Sequence, residues 1–321
     1  MSLKKTLVAA ALGAISLLAQ ADTWPSKPIK LIVAFPPGGA SDAVGRLYAE
    51  KLSEALKQPV IVDNKPGAGT AIAAEAAAKA APDGYTLSLA PAGQLTVLPN
   101  ISKTLNYDPF KDFAPVAVVA SVPYVIAAAP NTGINNLKDL IAKAKKEPGK
   151  FTYSSCGNGT LCHLSGELFK TLTGTDILHI PYKGSAPAIT ALLGGEVSLA
   201  FDTLQVLAPQ VKAGKVKGLA ISSAKRSFLL PDLPTAAEAG LPNYEISSWF
   251  GVVVPAATPK EIVNRLNAEL TRIANSTEVK GRFAAQGVDV LNSTPEGFAK
   301  LIREDHARWG KVVKASGAKL D

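Results

Sequence analysis

The run Phe35-Pro36-Pro37-Gly38-Gly39-Ala40-Ser41-Asp42 joins the apolar segment Ile29 to Phe35 to a helix expected to begin near Ser41. The first N–H groups of a helix have no partner inside it and carry roughly half a positive charge, and glycines let a ligand approach them closely. The chemistry implied is anion capture. A second run, Tyr153-Ser154-Ser155-Cys156-Gly157-Asn158-Gly159-Thr160, also leads from an expected strand into an expected helix. Two such cradles facing each other would hold a small carboxylate through the backbone alone. Each charge-assisted hydrogen bond contributes roughly 1.5 to 3 kcal/mol, so three or four approach the roughly 8 kcal/mol of micromolar binding before costs.

Side chains near these runs have several possible roles. Ser41 either caps its helix or caps it and also offers a hydroxyl to the ligand. Asp42 suits orienting water or accepting N–H groups of the neighbouring loop, and Arg46, one turn later, is expected to brace it. His163 either donates to the ligand or packs between lobes onto a carbonyl. His179 is read as structural and His306 as solvent-exposed. Tyr182 and Lys183 line a cleft or a turn. Gln94, Thr203 and Tyr182 are candidates for setting ligand choice, and a ligand hydroxyl or amine would suit Asp202. Cys156 and Cys162, the two cysteines of the chain, flank the second cradle. A disulfide there would contribute about 2.4 kcal/mol by chain entropy and would stiffen Gly157 to Leu161; two buried thiols are the alternative.

Catalytic readings fit poorly. Ser41 lies in G-A-S-D-A, which lacks the second glycine of a nucleophile elbow, and the neighbours Cys162 and His163 do not face each other on a helix. Three dispersed histidines and the cysteine spacing match no usual zinc site. Gly67-Ala68-Gly69 and Gly157-Asn158-Gly159 open like dinucleotide fingerprints, but Ile72 and Cys162 stand at the third glycine position. No catalytic residue, metal or cofactor is therefore assigned, and a hydrolase is the minor alternative.

The positioning elements follow from periodicity. Short β-branched runs alternate with helical stretches, which predicts α/β layers with mainly parallel sheets. Strands are expected at 29–35, 60–63, 86–90, 116–119, 124–129, 151–154, 177–180, 197–201, 218–222, 251–254 and 288–291. Thr258-Pro259-Lys260-Glu261 and Thr294-Pro295 open helices, and the last presents Phe298, Leu301, Ile302, Trp309, Val312 and Val313 toward the first lobe. At 321 residues the chain exceeds what one core usually organises. With crossings near Val119 to Pro123 and Asn243 to Trp249, residues 22–120 and 246–321 form lobe 1 and residues 121–245 form lobe 2. A cleft between two such sheets is the natural ligand site.

Lys4 and Lys5 precede a short apolar stretch, Thr6 to Ala19, and Ala19-Gln20-Ala21 fits signal-peptide cleavage after Ala21. Residues 1–21 are thus read as an export signal. The basic excess, 34 basic against 26 acidic residues, is spread along the chain, and with only 6% aromatics it does not make a nucleic-acid stripe.

Ordered motifs across the mature chain carry a family likeness: F-P-P-G-G-A-S-D (Phe35 to Asp42), V-D-N-K-P-G-A-G-T (Val62 to Thr70), A-P-D-G-Y-T-L (Ala81 to Leu87) and G-N-G-T-L-C-H-L (Gly157 to Leu164). H-I-P-Y-K-G-S-A-P-A (His179 to Ala188), P-D-L-P-T-A-A-E-A-G-L-P (Pro231 to Pro242) and S-W-F-G (Ser248 to Gly251) continue it. With these the chain resembles the solute-binding proteins of tripartite tricarboxylate transporters, also called Bug-type receptors. The resemblance implies a periplasmic two-lobe, type II-like binding protein that closes on a small organic carboxylate and delivers it to a two-subunit membrane permease. A sensory role at a membrane signalling protein is the alternative. It further implies a monomer, and ligand contacts from the two glycine loops. The site set expected is Phe35, Pro37, Gly38, Gly39, Ala40, Ser41, Asp42, Gln94, Ser155, Gly157, Asn158, Gly159, Thr160, His163 and Asp202, the last facing the ligand's far end.

Overall fold

The computed structural model describes residues 24–318, so the expected export signal, 1–21, lies outside the described residues. The strands are β1 (Ile29–Val33), β2 (Val60–Asn64), β3 (Thr86–Pro91), β4 (Phe113–Ala128), β5 (Thr152–Ser155), β6 (Leu178–Pro181), β7 (Leu199–Thr203), β8 (Lys217–Ile221), β9 (Ser247–Pro255) and β10 (Asp289–Val290). The α-helices are α1 (Ala40–Leu56), α2 (Ala71–Ala78), the short α3 (Ala92–Thr96) and α4 (Leu98–Ile101), α5 (Leu137–Lys146) and α6 (Leu161–Thr173). They continue as α7 (Ser185–Gly194), α8 (Leu204–Lys212), α9 (Lys260–Asn275), α10 (Thr277–Ala284) and α11 (Pro295–Ser316).

Eight strands follow the order β2-β1-β3-β9-β4-β7-β5-β6, with β8 and β10 also paired to β4. Parallel triplets lie at the two ends: β2-β1-β3 in one lobe and β6-β5-β7 in the other. The strands between them run antiparallel. In each triplet a strand feeds a glycine turn and a helix, which puts helix starts at the strands' C-terminal ends.

One strand replaces the two expected at 116–119 and 124–129. Proline at 115 and 123 reads locally as punctuation, yet β4 runs unbroken for 16 residues. Register shifts between Pro115 and Ala117 and between Val118 and Ala120 absorb the irregularity. Pro123, which has no N–H to donate, stands where β4 exchanges partners: β9 up to Pro123, then β7 from Tyr124 and β8 from Val125. The first proline therefore costs a bulge and the second costs nothing.

The last helix corrects the expected docking on one lobe. Thr294 caps it through the Gly297 amide, and Phe298, Ile302, Trp309 and Val313 are buried. At the other expected cap the Thr258 hydroxyl instead donates to Pro255 O. Helix α11 packs against α3 and β4 and also against α6 of the other lobe. Trp249 Nε1 donates to Asp305 (2.6 Å), and Arg308 donates to Glu245 O (2.6 Å). It thus straps both halves. His306 is half-buried rather than exposed, edge-on to Phe110 at 5.0 Å.

Gly251 of β9 lies directly under the Phe298 ring, so a Cβ there would collide with it. Gly251→Ala should lower unfolding free energy by about 1 to 3 kcal/mol, the usual cost of overpacking. Urea denaturation measures this, and a loss below about 0.5 kcal/mol, within the noise of a neutral surface change, would contradict the packing.

Candidate functional site

The first loop leaves β1 at Val33 and enters α1 at Ala40, one residue before the expected start. Gly39 is the N-cap, and Ser41 falls inside the first turn with no capping bond. The expected cap role is therefore wrong. Gly38 has φ +96°, a conformation L side chains rarely adopt. Asp42 is buried and turned into its own loop: Oδ2 accepts from Gly38 N (3.1 Å) and Arg46 Nε (2.9 Å), and Oδ1 accepts from Asn64 Nδ2 (3.0 Å). Burial alone would raise its pKa, but the bonds from Arg46, Asn64 and Gly38 outweigh that and hold it below the usual range. Asn64 also donates to Phe35 O (2.8 Å). A carboxylate and an amide thus clamp the loop from behind.

The second loop is clamped more heavily. Cys156 and Cys162 form a disulfide across it, with Cα atoms 5.7 Å apart. Thr160 caps α6, its hydroxyl accepting from His163 N and donating to Gly157 O (2.6 Å). His163 Nδ1 accepts from Gly159 N (3.3 Å), and its ring stacks on His179 at 4.1 Å, which stacks on Tyr153 at 4.8 Å. His179 Nε2 lies 2.6 Å from Ser155 Oγ. Burial lowers both imidazoles, His179 to about 3, so both are neutral near pH 7 and His163 can accept the Gly159 amide.

A cavity of about 50 Å³ lies between the lobes. Since one water needs roughly 10 to 15 Å³ on this scale, the space suits a ligand of a handful of non-hydrogen atoms. Of the expected residues, Phe35, Pro37, Gly39, Ala40, Ser41, Gln94, Thr160 and Asp202 line it, with both cysteines. Gly38, Asp42, Ser155, Gly157, Asn158, Gly159 and His163 do not. They form the turns and clamps behind the wall, and Asn158 O meets Gly69 of the other lobe so closely that a Cβ on Gly69 would collide with it.

Sequence reading named Lys183 as lining a cleft or a turn, and it lines the cavity; the residues that follow it and one further wall segment were missed. Lys183-Gly184-Ser185-Ala186-Pro187 is a third strand-to-helix turn, opening α7, and a glycine followed two residues later by alanine and proline was its signal. Gly69 and Thr70 belong to a run of left-handed residues, Gly67 to Thr70, that had suggested only an incomplete fingerprint.

Three buried polar side chains in the wall have no partner among the described residues: Ser41 Oγ, Thr70 Oγ1, and both Nε2 and Oε1 of Gln94. Buried polar groups are ordinarily paired, so these are poised for a ligand. Helices α1, α6, α7 and α8 all begin at the cavity, and Lys183 is the one basic side chain among the lining residues. The field there favours a negative group. Cys162 is held in the disulfide and supplies no thiol nucleophile.

Gly39 lines the cavity and a Cβ there meets no protein atom. Gly39→Val should leave the melting temperature of the free protein unchanged and weaken binding of small carboxylates about a hundredfold, on the order of 3 kcal/mol. Calorimetry checks it, and unchanged affinity would count against this loop. Replacing both Cys156 and Cys162 by serine should lower stability by about 2 kcal/mol and weaken binding as the loop loosens. Equal stability and affinity in the variant would contradict the clamp.

The model of the tripartite tricarboxylate transporter family receptor matches residues 44–318. The chain is 39% identical to protein BugT of Bordetella pertussis over 311 residues, covering 97% of this chain and 95% of that protein. Among solved structures it is similar to Rpa4515 of R. palustris with adipate, at 38% identity and TM-score 0.89, covering 92% of this chain and all of that one. It is also similar to MatC of Rhodopseudomonas palustris with bound malate, at 32% identity and TM-score 0.86, covering 90% and 100%. The matched family is one of transporter receptors rather than of enzymes, which sets the hydrolase alternative aside. A chain with this fold, these loops and this family match over most of its length belongs to the receptors of the tripartite tricarboxylate transporter family.

Proposed function

We propose that the protein is a periplasmic receptor that closes on a short-chain organic carboxylate and presents it to a two-subunit membrane permease, after removal of residues 1–21. The carrying observation is the set of unpartnered polar side chains, Ser41, Thr70 and Gln94, in a cavity ringed by helix starts. The carboxylate head sits between the α1 and α6 starts. Relatives with bound adipate and malate support the acid class.

Closure is a rotation about the two inter-lobe connections, at Pro123 and Tyr124 in β4 and just before β9. On this reading the lobes are 22–120 with 246–321, and 121–245. Gly69 against Asn158 and Pro36 against Gly184 are the contacts that part when the cleft opens.

A thermal-shift screen tests the function. Ligand at a hundred times its Kd adds roughly 2.7 kcal/mol, enough to raise the melting temperature by several degrees. Malonate or succinate should do so, and their amides and methyl esters should not. Stabilisation by sugars or cations alone would overturn the assignment.

A further inference from the structure

Asp202, the penultimate residue of β7, lies in the cavity wall and is only 2% exposed. Its protein bonds all fall on one oxygen. Oδ1 accepts from Thr203 N (2.7 Å), Ser185 Oγ (3.1 Å) and Thr203 Oγ1 (3.4 Å), whereas Oδ2 has no hydrogen-bond partner among the described residues. Among the described residues, no lysine, arginine or histidine pairs with it. A carboxyl buried without a counter-charge is costly to ionise. Burial accordingly pushes its pKa up to about 6, with the Thr203 amide and the Ser185 and Thr203 hydroxyls pulling the other way.

The groups around it are few. From β4 comes Tyr124, a phenol that burial keeps neutral, and from the turn before α7 comes Lys183. Helix α8 brings Gln205 in its first turn and a basic residue, Lys212, only in its last. Tyr153 of β5, Glu167 and His163 of α6, and His179 of β6 are engaged with one another or with the second loop. Among the described residues, no charged side chain on these elements pairs with Asp202.

Resting on the carboxylate-receptor reading, we propose that Asp202 takes up a proton from solvent as the ligand enters and donates Oδ2–H to a second carboxylate of that ligand. The site thereby selects diacids. Two carboxylates sharing one buried place hold one proton between them, because both cannot stay ionised. A ligand ammonium would satisfy an ionised Asp202, but it would lie against the α7 and α8 starts, which disfavour a cation. The surroundings favour anion plus proton over cation.

The test uses the full mature chain and succinate between pH 6.5 and 8.5, where both succinate carboxyls are ionised. Calorimetry in two buffers of different ionisation enthalpy should show uptake of close to one proton per succinate near pH 7.5. Affinity should fall about tenfold for each pH unit, as single-proton linkage requires. D202N, whose amide N–H replaces the Oδ2–H, should bind succinate with no proton uptake and an affinity that no longer varies with pH. Aspartate should bind more weakly than succinate to the wild type. Succinate binding without proton uptake, or affinity for aspartate that exceeds that for succinate, overturns this inference and leaves the receptor reading standing. If no carboxylate binds the wild type at all, both fall.

Discussion

Amide groups at the start of a helix cannot be satisfied by that helix, and in this protein four long helices begin at one buried cavity. Everything around the cavity keeps those starts uncovered. Glycine at 38, 157 and 159 supplies positive φ where the chain must turn before α1 and α6. Short side chains keep the approach open. The Asp42, Arg46 and Asn64 network behind the first loop and the disulfide and imidazole stack behind the second fix where the amides point. Such preorganisation matters because a loop that must be ordered on binding spends affinity on its own entropy.

The mixed sheet explains how one cavity receives loops from both lobes. Each parallel triplet directs its strand ends toward the interface, and the antiparallel β4 and β9 connect the triplets. Strand β4, the run into β9 and the strap α11 join the two halves. Phe298 beneath β9 and the Trp249–Asp305 bond tie that strap to the connection rather than to the cavity.

Much of this was legible locally. Glycine turns, capping residues and β-branched runs placed both loops and nearly every strand to within a few residues, because those signals act between near neighbours. The rest depended on which elements meet. Ser41 reads as a cap from its position after two glycines, but α1 begins one residue sooner and the hydroxyl is free. His163 reads equally as a ligand donor or as a packing residue that bonds a carbonyl; in the structure His179, contributed by a different strand, stacks on it and it accepts the Gly159 amide. The Lys183 to Pro187 turn carries the same strand-glycine-helix grammar as the two loops recognised. Its partnership with them is a matter of sheet order, which no local window contains.

The central claim is that an acid's negative head rests on backbone at the α1 and α6 starts. A crystal structure of the complex with a stabilising acid tests this most directly. The account predicts carboxylate oxygens within hydrogen-bond distance of the Ala40 to Ser41 and Thr160 to Cys162 region, with Ser41, Thr70 or Gln94 newly partnered. A head group bound away from both loops, with those three side chains still unpaired, would contradict it.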